Sequence, residues 1–208
     1  MKVIDQSFQV LVITPSPLQL IEKAGRVCYK SEDKITSESA PPFVSKLCHT
    51  LKHESVIEHV SATVLFTTDR GVTHEFVRHR LASYSQESTR YCNYSQGKFD
   101  SELTFIRPVY LDSCSDAYAI WRASCISAEH YYFQLLRETN SPQYARAALP
   151  NSLKSDLVVT ANFRTWKHIF KLRSHPNAHP QFRALIQPLA ELFHHSYPEI
   201  FTNQNENL

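Results

Sequence analysis

The sequence predicts an α+β fold, with helices and strands mixed along one chain. Three observations carry this. Helical and strand-like apolar periods follow one another without the β-α-β rhythm of a parallel sheet. The strand-like runs are short and few. Glycine is scarce, with only Gly25, Gly71 and Gly97, so neither G-x-G-x-x-G nor a phosphate-binding P-loop can be built. Any phosphorylated ligand must then be held largely by side chains.

Each element has its own signal. Residues 7–13 are largely apolar and read as a strand. Residues 15–29 carry Leu18, Ile21, Gly25 and Cys28 at helical spacing. Pro41 and Pro42 open a second helix with Phe43, Leu47 and Leu51 on one face. Residues 61–68 set Ala62, Val64 and Phe66 mostly against hydroxyls, a half-buried strand. Residues 71–80 suit a short helix with Val72, Phe76 and Val77 inward. The apolar period then fails, so 81–95 reads as a loop or a short extended segment. Residues 103–106 form a short strand, and 112–139 is the longest helical pattern. A short helix over 144–149 is stopped by Pro150. Residues 157–163 read as a strand and 165–173 as a helix. In the last helix, 181–195, Pro188 is expected to kink or split the turn.

Composition narrows the function. At 208 residues the chain suits one domain or two closely merged halves and is read as a single domain over 1–208, and 42% hydrophobic content suffices for its core. A net charge of +2 gives no global field for nucleic acid. The five cysteines lack C-x-x-C spacing, which argues against a disulfide framework or zinc ribbon and for a reducing compartment. Asp5 falls where a signal peptide has its apolar run, and no apolar run is long enough to span a membrane. The expectation is a cytoplasmic protein that meets neither membrane nor nucleic acid.

The chemistry concentrates in Arg78-His79-Arg80-Leu81-Ala82-Ser83-Tyr84-Ser85-Gln86-Glu87-Ser88-Thr89-Arg90. Basic groups this close repel one another unless an anion sits among them. Arginine forks suit phosphate, and the serines and Gln86 suit the polar edge of a planar ring. The dull alternative is a solvated basic loop. Two residues apart, Arg78 and Arg80 diverge on a helix but point the same way on extended chain. Three further blocks stand out. One is His53-Glu54-Ser55-Val56-Ile57-Glu58-His59. Another is Tyr144-Ala145-Arg146-Ala147-Ala148-Leu149-Pro150. The last runs from Asn162-Phe163-Arg164 through His168 to Arg173. Arg164 and His168 share a helix face, whereas Arg173 lies on the apolar stripe of Trp166, Ile169 and Phe170 and needs an acceptor. The histidines lack ligand spacing, since His74-Glu75 to His79 is one residue too long for H-E-x-x-H, so no metal is expected. Ser88 lacks a His/Asp partner, and nothing marks Cys92 as an activated thiolate.

Arg-His-Arg, seven residues, then Ser88-Thr89-Arg90-Tyr91 resembles the signature of the flavin-dependent thymidylate synthases. The other blocks resemble that family in the same order, from Arg26-Val27-Cys28-Tyr29 onward. The resemblance implies an α+β fold with a small, mostly antiparallel sheet. It implies synthesis of dTMP from dUMP with FAD, NADPH and methylenetetrahydrofolate, in a homotetramer whose sites are shared between subunits. It assigns FAD to Ser55, Arg78, His79, Arg80, Gln86, Asn162, Phe163, Arg164 and His168. To dUMP it assigns Glu75, Phe76, Val77, Arg78, Gln86, Glu87, Ser88, Thr89, Arg90, Arg146 and Arg173. Arg173 is its catalytic residue, activating the uracil ring, and His53 lies toward the flavin and folate. The chain departs from the pattern at Glu75, Thr89 and Ser85-Gln86. Two rivals stand beside this reading. A binder of single-stranded nucleic acid would use the arginines and tyrosines, and a related flavoprotein would have kept FAD but changed its acceptor.

Overall fold

The computed structural model describes residues 1–99 and 101–201. In chain order the elements are β1 (Lys2–Ile4), β2 (Ser7–Ile13), α1 (Pro17–Tyr29), α2 (Ala40–Ser45) and β3 (Ser61–Asp69). Then come α3 (Arg70–Phe76), β4 (Ala82–Gln86), β5 (Thr104–Ile106), α4 (Asp116–Thr139) and α5 (Pro142–Ala145). The last are β6 (Lys154–Asn162), α6 (Phe163–Arg173) and α7 (Pro180–Ser196). The larger sheet has the order β2-β3-β6-β4, and β1 pairs with β5. The fold is α+β with a mostly antiparallel sheet, as the sequence implies. The pairing of β1 with β5 is parallel, Val3 opposite Phe105.

The chain divides into two compact units. One comprises 1–8, 65–78 and 84–158, and the other 9–64, 79–83 and 159–208. Strands β3 and β6 each pass from one unit into the other. Along both, burial alternates strictly, which is the pattern of a sheet with one face against a core.

In the first unit the core gathers Tyr94, Leu103, Phe105, Cys125, Tyr132, Leu136, Ala145 and Leu153. Helix α4 begins at residue 116 rather than 112, because the Ser115 hydroxyl caps it by accepting from the Tyr118 amide at 3.2 Å. Asp69 caps α3 in the same way, accepting from Val72 at 2.7 Å. That helix ends at Phe76, not Arg80. Residues 82–86, which lack an apolar period, form strand β4.

The second unit is built on an aromatic cage of Phe163, Trp166, Phe170, Phe193, Tyr197 and Phe201, with neighbouring ring centroids 5.3–6.4 Å apart. The Trp166 indole donates to the Ala62 carbonyl at 3.1 Å, so this large ring is buried without an orphan donor. Truncating the fully buried Phe163 to alanine would cost about 3–5 kcal/mol. After Ser45 the second helix widens into a π-turn over Lys46–Thr50. The added residue rotates the pattern, so Leu47 and Cys48 are buried while Leu51 is exposed, unlike the expected face. Helix α7 runs continuously through Pro188. Pro188 and Ala184, whose carbonyl loses its partner, are both exposed, so water can satisfy that carbonyl.

Candidate functional site

In the first unit, the chain leaves α3 through Val77 and Arg78, both exposed, while Phe76 packs on Phe66 at 4.6 Å between ring centroids. Phe76 is fully buried, so its side chain supports the site from beneath. Glu75 is half-buried on the last turn of α3. On β4, Ala82, Tyr84 and Gln86 face inward and the serines between them face out. The Tyr84 hydroxyl donates to the Phe76 carbonyl at 2.8 Å, tying the strand to the helix end, and burial pushes its pKa up to about 12.

The orientation of Gln86 follows from a chain of donors. Thr73 gives its hydroxyl proton to the Arg70 carbonyl at 3.0 Å, so it can only accept from Gln86. The Gln86 amide nitrogen therefore lies at Thr73, 2.8 Å away, and at Ser155, 3.1 Å away. Its carbonyl oxygen is left as the acceptor it presents. Next to it, Glu87 accepts from Tyr94 at 2.9 Å and from Lys154 at 2.9 Å, and Lys154 also bridges to Asp156. Burial pulls the Lys154 pKa down, but its bonds to Asp156 and Glu87 together outweigh that and raise it. Glu87 thus has a fixed structural partner that the sequence did not reveal.

These residues line a cleft of about 870 Å³ that includes Gln86, Glu87, Tyr91, Cys92, Lys154 and Asp156. Two carboxylates and one lysine suit donors on a base or ribose better than a phosphate. A larger cleft of about 1070 Å³, lined among others by Met1, Glu129 and Phe133, contains none of the predicted site residues. Beyond Glu87, Ser88 is half-buried, Thr89 is buried and Arg90 is exposed. Arg90 donates from Nε to Gln143 of α5 at 3.1 Å. Arg146 lies three residues after Gln143 in a 3-10 turn, exposed, with no ion pair among the described residues.

In the second unit, the last two residues of the Arg-His-Arg run, His79 and Arg80, take opposite orientations. Arg80 is exposed, and His79 is turned in, only 8% accessible. Neither Arg78 nor Arg80 has a salt-bridge partner among the described residues. His79 Nε2 accepts from Arg173 Nε at 3.0 Å, so the neutral ring carries its proton on Nδ1. Burial, then Arg173 and His168, lower the His79 pKa to about 4. The His168 ring meets it edge-on at 6.0 Å. Arg173 is half-buried at the end of α6, and its guanidinium lies over the Phe182 ring at 4.8 Å. This is the acceptor that an arginine on an apolar stripe requires.

Asn162 spends its side-chain oxygen on the Thr165 amide at 2.9 Å, capping α6, and Phe163 is fully buried in the aromatic cage. Any ligand contact from these two rests on their backbone or on the Asn162 nitrogen. Arg164 and His168 are exposed one turn apart, and Arg164 pairs with Glu58. Ser55 is exposed in the 3-10 turn Glu54–His59, which Lys167 of α6 secures through Glu54. A pair that sequence reasoning did not connect is Tyr29 and His53. The Tyr29 hydroxyl and His53 Nδ1 are 2.8 Å apart, with ring planes inclined by only 14°. No group of three or more His, Cys, Asp or Glu with the geometry of a metal site occurs among the described residues.

The family model of the thymidylate synthase complementing proteins matches residues 9–199. The chain belongs to the flavin-dependent thymidylate synthases. A flavin-dependent thymidylate synthase of Corynebacterium efficiens is 32% identical over 194 residues, 88% of this chain and 77% of that protein. One of Geobacter sulfurreducens is 30% identical over 195 residues, 90% and 82% of the two chains. Among solved structures, the UMP/dUMP methylase PolB of Streptomyces cacaoi, bound with 5-Br dUMP, matches with a TM-score of 0.78 and 23% identity. That match covers 97% of this chain and 95% of the other. Thymidylate synthase X of Helicobacter pylori, solved with FAD and dUMP, matches with a TM-score of 0.76 and 22% identity over 95% and 97%. The flavin-dependent thymidylate synthase fold therefore spans nearly the whole chain. The residues that carried the resemblance are spread over α1, the 3-10 turn Glu54–His59, α3, β4, α5, the end of β6 and α6, with the short segments that follow α3, β4 and α5.

Proposed function

We propose that residues 1–208 act as one flavin-dependent thymidylate synthase domain. The enzyme is an FAD-dependent methyltransferase that makes dTMP by reductive methylation of dUMP, with methylenetetrahydrofolate as carbon donor and NADPH as reductant. It works in the cytoplasm as a homotetramer whose sites combine residues of different subunits. The observation that carries this reading is Arg173, an arginine on an apolar helix face held by a buried neutral histidine. A charge shielded in this way stabilises negative charge developing on a uracil ring more than a solvated one does.

The remaining residues divide by chemistry. Arg90 and Arg146, exposed and basic, take the nucleotide phosphate, and Arg78 lies beside them in this reading. Gln86 presents a fixed carbonyl to the base or ribose, while Glu75, Glu87, Ser88 and Thr89 shape the same pocket, with Phe76 and Val77 behind them. Arg78, Arg80 and Arg164 take the FAD pyrophosphate, and Ser55, His168, Gln86 and the Asn162-Phe163 segment border the cofactor. When bound, FAD supplies the hydride that completes the methyl group. The chain itself supplies position and charge.

The test begins with the visible spectrum of purified protein and identification of acid-released flavin. FAD, and dTMP formed only with dUMP, methylenetetrahydrofolate and NADPH together, is the expected result. Preference for FMN, or no dTMP from FAD-loaded protein, would overturn the reading.

A further inference from the structure

We propose that His79 is a positioning residue, whose Nε2 anchors the Nε–H of Arg173 and so fixes the edge of the guanidinium offered to uracil. This rests on the reading of Arg173 as the uracil-activating residue. His79 is the middle residue of Arg78-His79-Arg80, and it behaves differently from its neighbours. They are exposed, whereas it is buried and turned onto α6. Its ring is therefore better placed to act through Arg173 than to form a broad contact with a cofactor.

The geometry makes the anchor effective. A guanidinium is planar, with a single proton on Nε, and its Nη1–Nη2 edge lies opposite Nε. Once that proton is given to His79 at 3.0 Å, rotation about the last side-chain bonds swings the whole plane away from its partner. The Phe182 ring, 4.8 Å from Cζ, restrains the plane from one face. His168 packs edge-on against His79 at 6.0 Å and steadies the imidazole in turn. A carboxylate at position 79 would orient Arg173 equally well but would cancel its charge. A neutral imidazole accepts the bond and leaves the positive charge intact. The low pKa of His79 is consistent with this, because protonation would remove the acceptor and set two cations 3.0 Å apart.

The experiment compares His79→Gln, whose amide oxygen can accept from Nε, with His79→Met, of similar length but without a comparable acceptor. For each holoenzyme, FAD content, flavin reduction by NADPH, kcat and KM for dUMP are measured. His79→Met should lower kcat for dTMP on the order of 10- to 10²-fold, the cost of a misplaced group, with FAD content and flavin reduction unchanged. His79→Gln should recover most of that loss. In an Arg173→Ala background, His79→Met should add nothing. Equal losses in both variants, activity that falls in step with FAD content, or a fully active His79→Met would each overturn the proposal. If Arg173→Ala itself kept turnover, the uracil-activating reading would fail and the positioning role with it. If Arg173→Ala lost turnover and His79→Met did not, only the positioning role would fail. A measurement on the unmodified protein is independent of how the variants fold. Histidine ¹⁵N spectra at pH 7 should show His79 Nε2 unprotonated and Nδ1 protonated. A protonated Nε2 would overturn the anchor.

Discussion

Helix α6 carries an arginine at each end, and the two are held in different ways. Arg164, in the first turn, is exposed and donates to the exposed carboxylate of Glu58. Arg173, in the last turn, is half-buried and gives its Nε proton to the buried imidazole of His79. The helix dipole disfavours a cation at the first end and favours one at the second, so Arg164 has the greater need of an anion nearby. The carboxylate fixes Arg164 by partly neutralising it. The neutral imidazole fixes Arg173 through Nε without itself bringing a negative charge to it. The same side chain is thus half of a surface ion pair at one end of the helix and an imidazole-anchored, half-buried cation at the other.

The strongest way to break this comparison is to remove Arg173. Arg173→Ala should lower dTMP formation on the order of 10²-fold or more, as for a lost transition-state contact, while FAD binding and its reduction by NADPH persist. Arg173→Lys should be nearly as poor, because it keeps the charge but loses the Nε anchor and the planar fork. Separate assays of flavin reduction and product formation decide it. Loss of flavin instead of turnover would make Arg173 a cofactor or packing residue.

A smaller effect comes from pH, through His79. Its pKa is lowered from 6.5 to about 4, first by burial and then by Arg173 and His168. Above pH 6.5 the ring is neutral in both folded and unfolded chains. As pH falls through 6.5 the unfolded chain gains a proton that the folded chain refuses. Stability is therefore lost on acidification down to pH 4, and no further below it. Between pH 6.5 and 5 this amounts to ~2 kcal/mol at ~1.4 kcal/mol per unit. Denaturant titrations at pH 7 and pH 5 should show His79→Gln losing less stability than the unmodified protein by about that amount. Identical pH dependence would mean that the ring is solvated when folded.

What the sequence showed of this contrast, and what it hid, has a physical basis. The apolar stripe Trp166-Ile169-Phe170 is local periodicity, so α6 and the anomaly of Arg173 were legible. The identity of the acceptor was not, because His79 lies 94 residues away in the chain. The inward turn of His79 was also hidden. The apolar spacing of Val72, Phe76 and Val77 suggested a helix to Arg80, but it stops at Phe76 and Val77 is exposed. The sequence left 81–95 open between a loop and a short extended segment, and strand β4 bears out the second. It could not be decided there because the outward residues are serines and the inward ones include Gln86, whose partners Thr73 and Ser155 belong to other elements. The family match over residues 9–199, by contrast, was readable from four short blocks of basic and polar residues at fixed spacing, a signal that lies in the sequence itself and needs no tertiary partner.

Arg90 tests a third condition, an exposed arginine held by a neutral amide and an aromatic ring. Its Nε donates to Gln143, and its guanidinium lies over Tyr91 at 5.3 Å. As a phosphate contact, it acts equally in the ground and transition states. Arg90→Ala should therefore raise KM for dUMP about 10-fold, the worth of one charge-assisted bond near 1.5 kcal/mol, with kcat little changed. Steady-state kinetics over a range of dUMP measures this. A fall in kcat at unchanged KM would move Arg90 from binding into the chemistry.

The smallest effect should come from the other end of α6. Glu58→Gln removes the carboxylate that holds Arg164 while keeping the side chain's size and hydrogen-bonding ability. Both partners are exposed, so the pair is screened by water and salt and contributes little to folding. The melting temperature should be unchanged within error. If Arg164 contributes to FAD binding, its Glu58 partner competes with the cofactor's phosphates for the same guanidinium. Freed of that competition, the variant should bind FAD as tightly as the unmodified protein or a few-fold more tightly, the scale of one exposed ion pair. Fluorescence titration of apoprotein with FAD at low and moderate salt is the measurement, and any gain should shrink as salt rises. Weaker FAD binding in Glu58→Gln would show that the carboxylate is needed to aim Arg164. The two ends of the helix would then work alike, each with an arginine that depends on its partner for position.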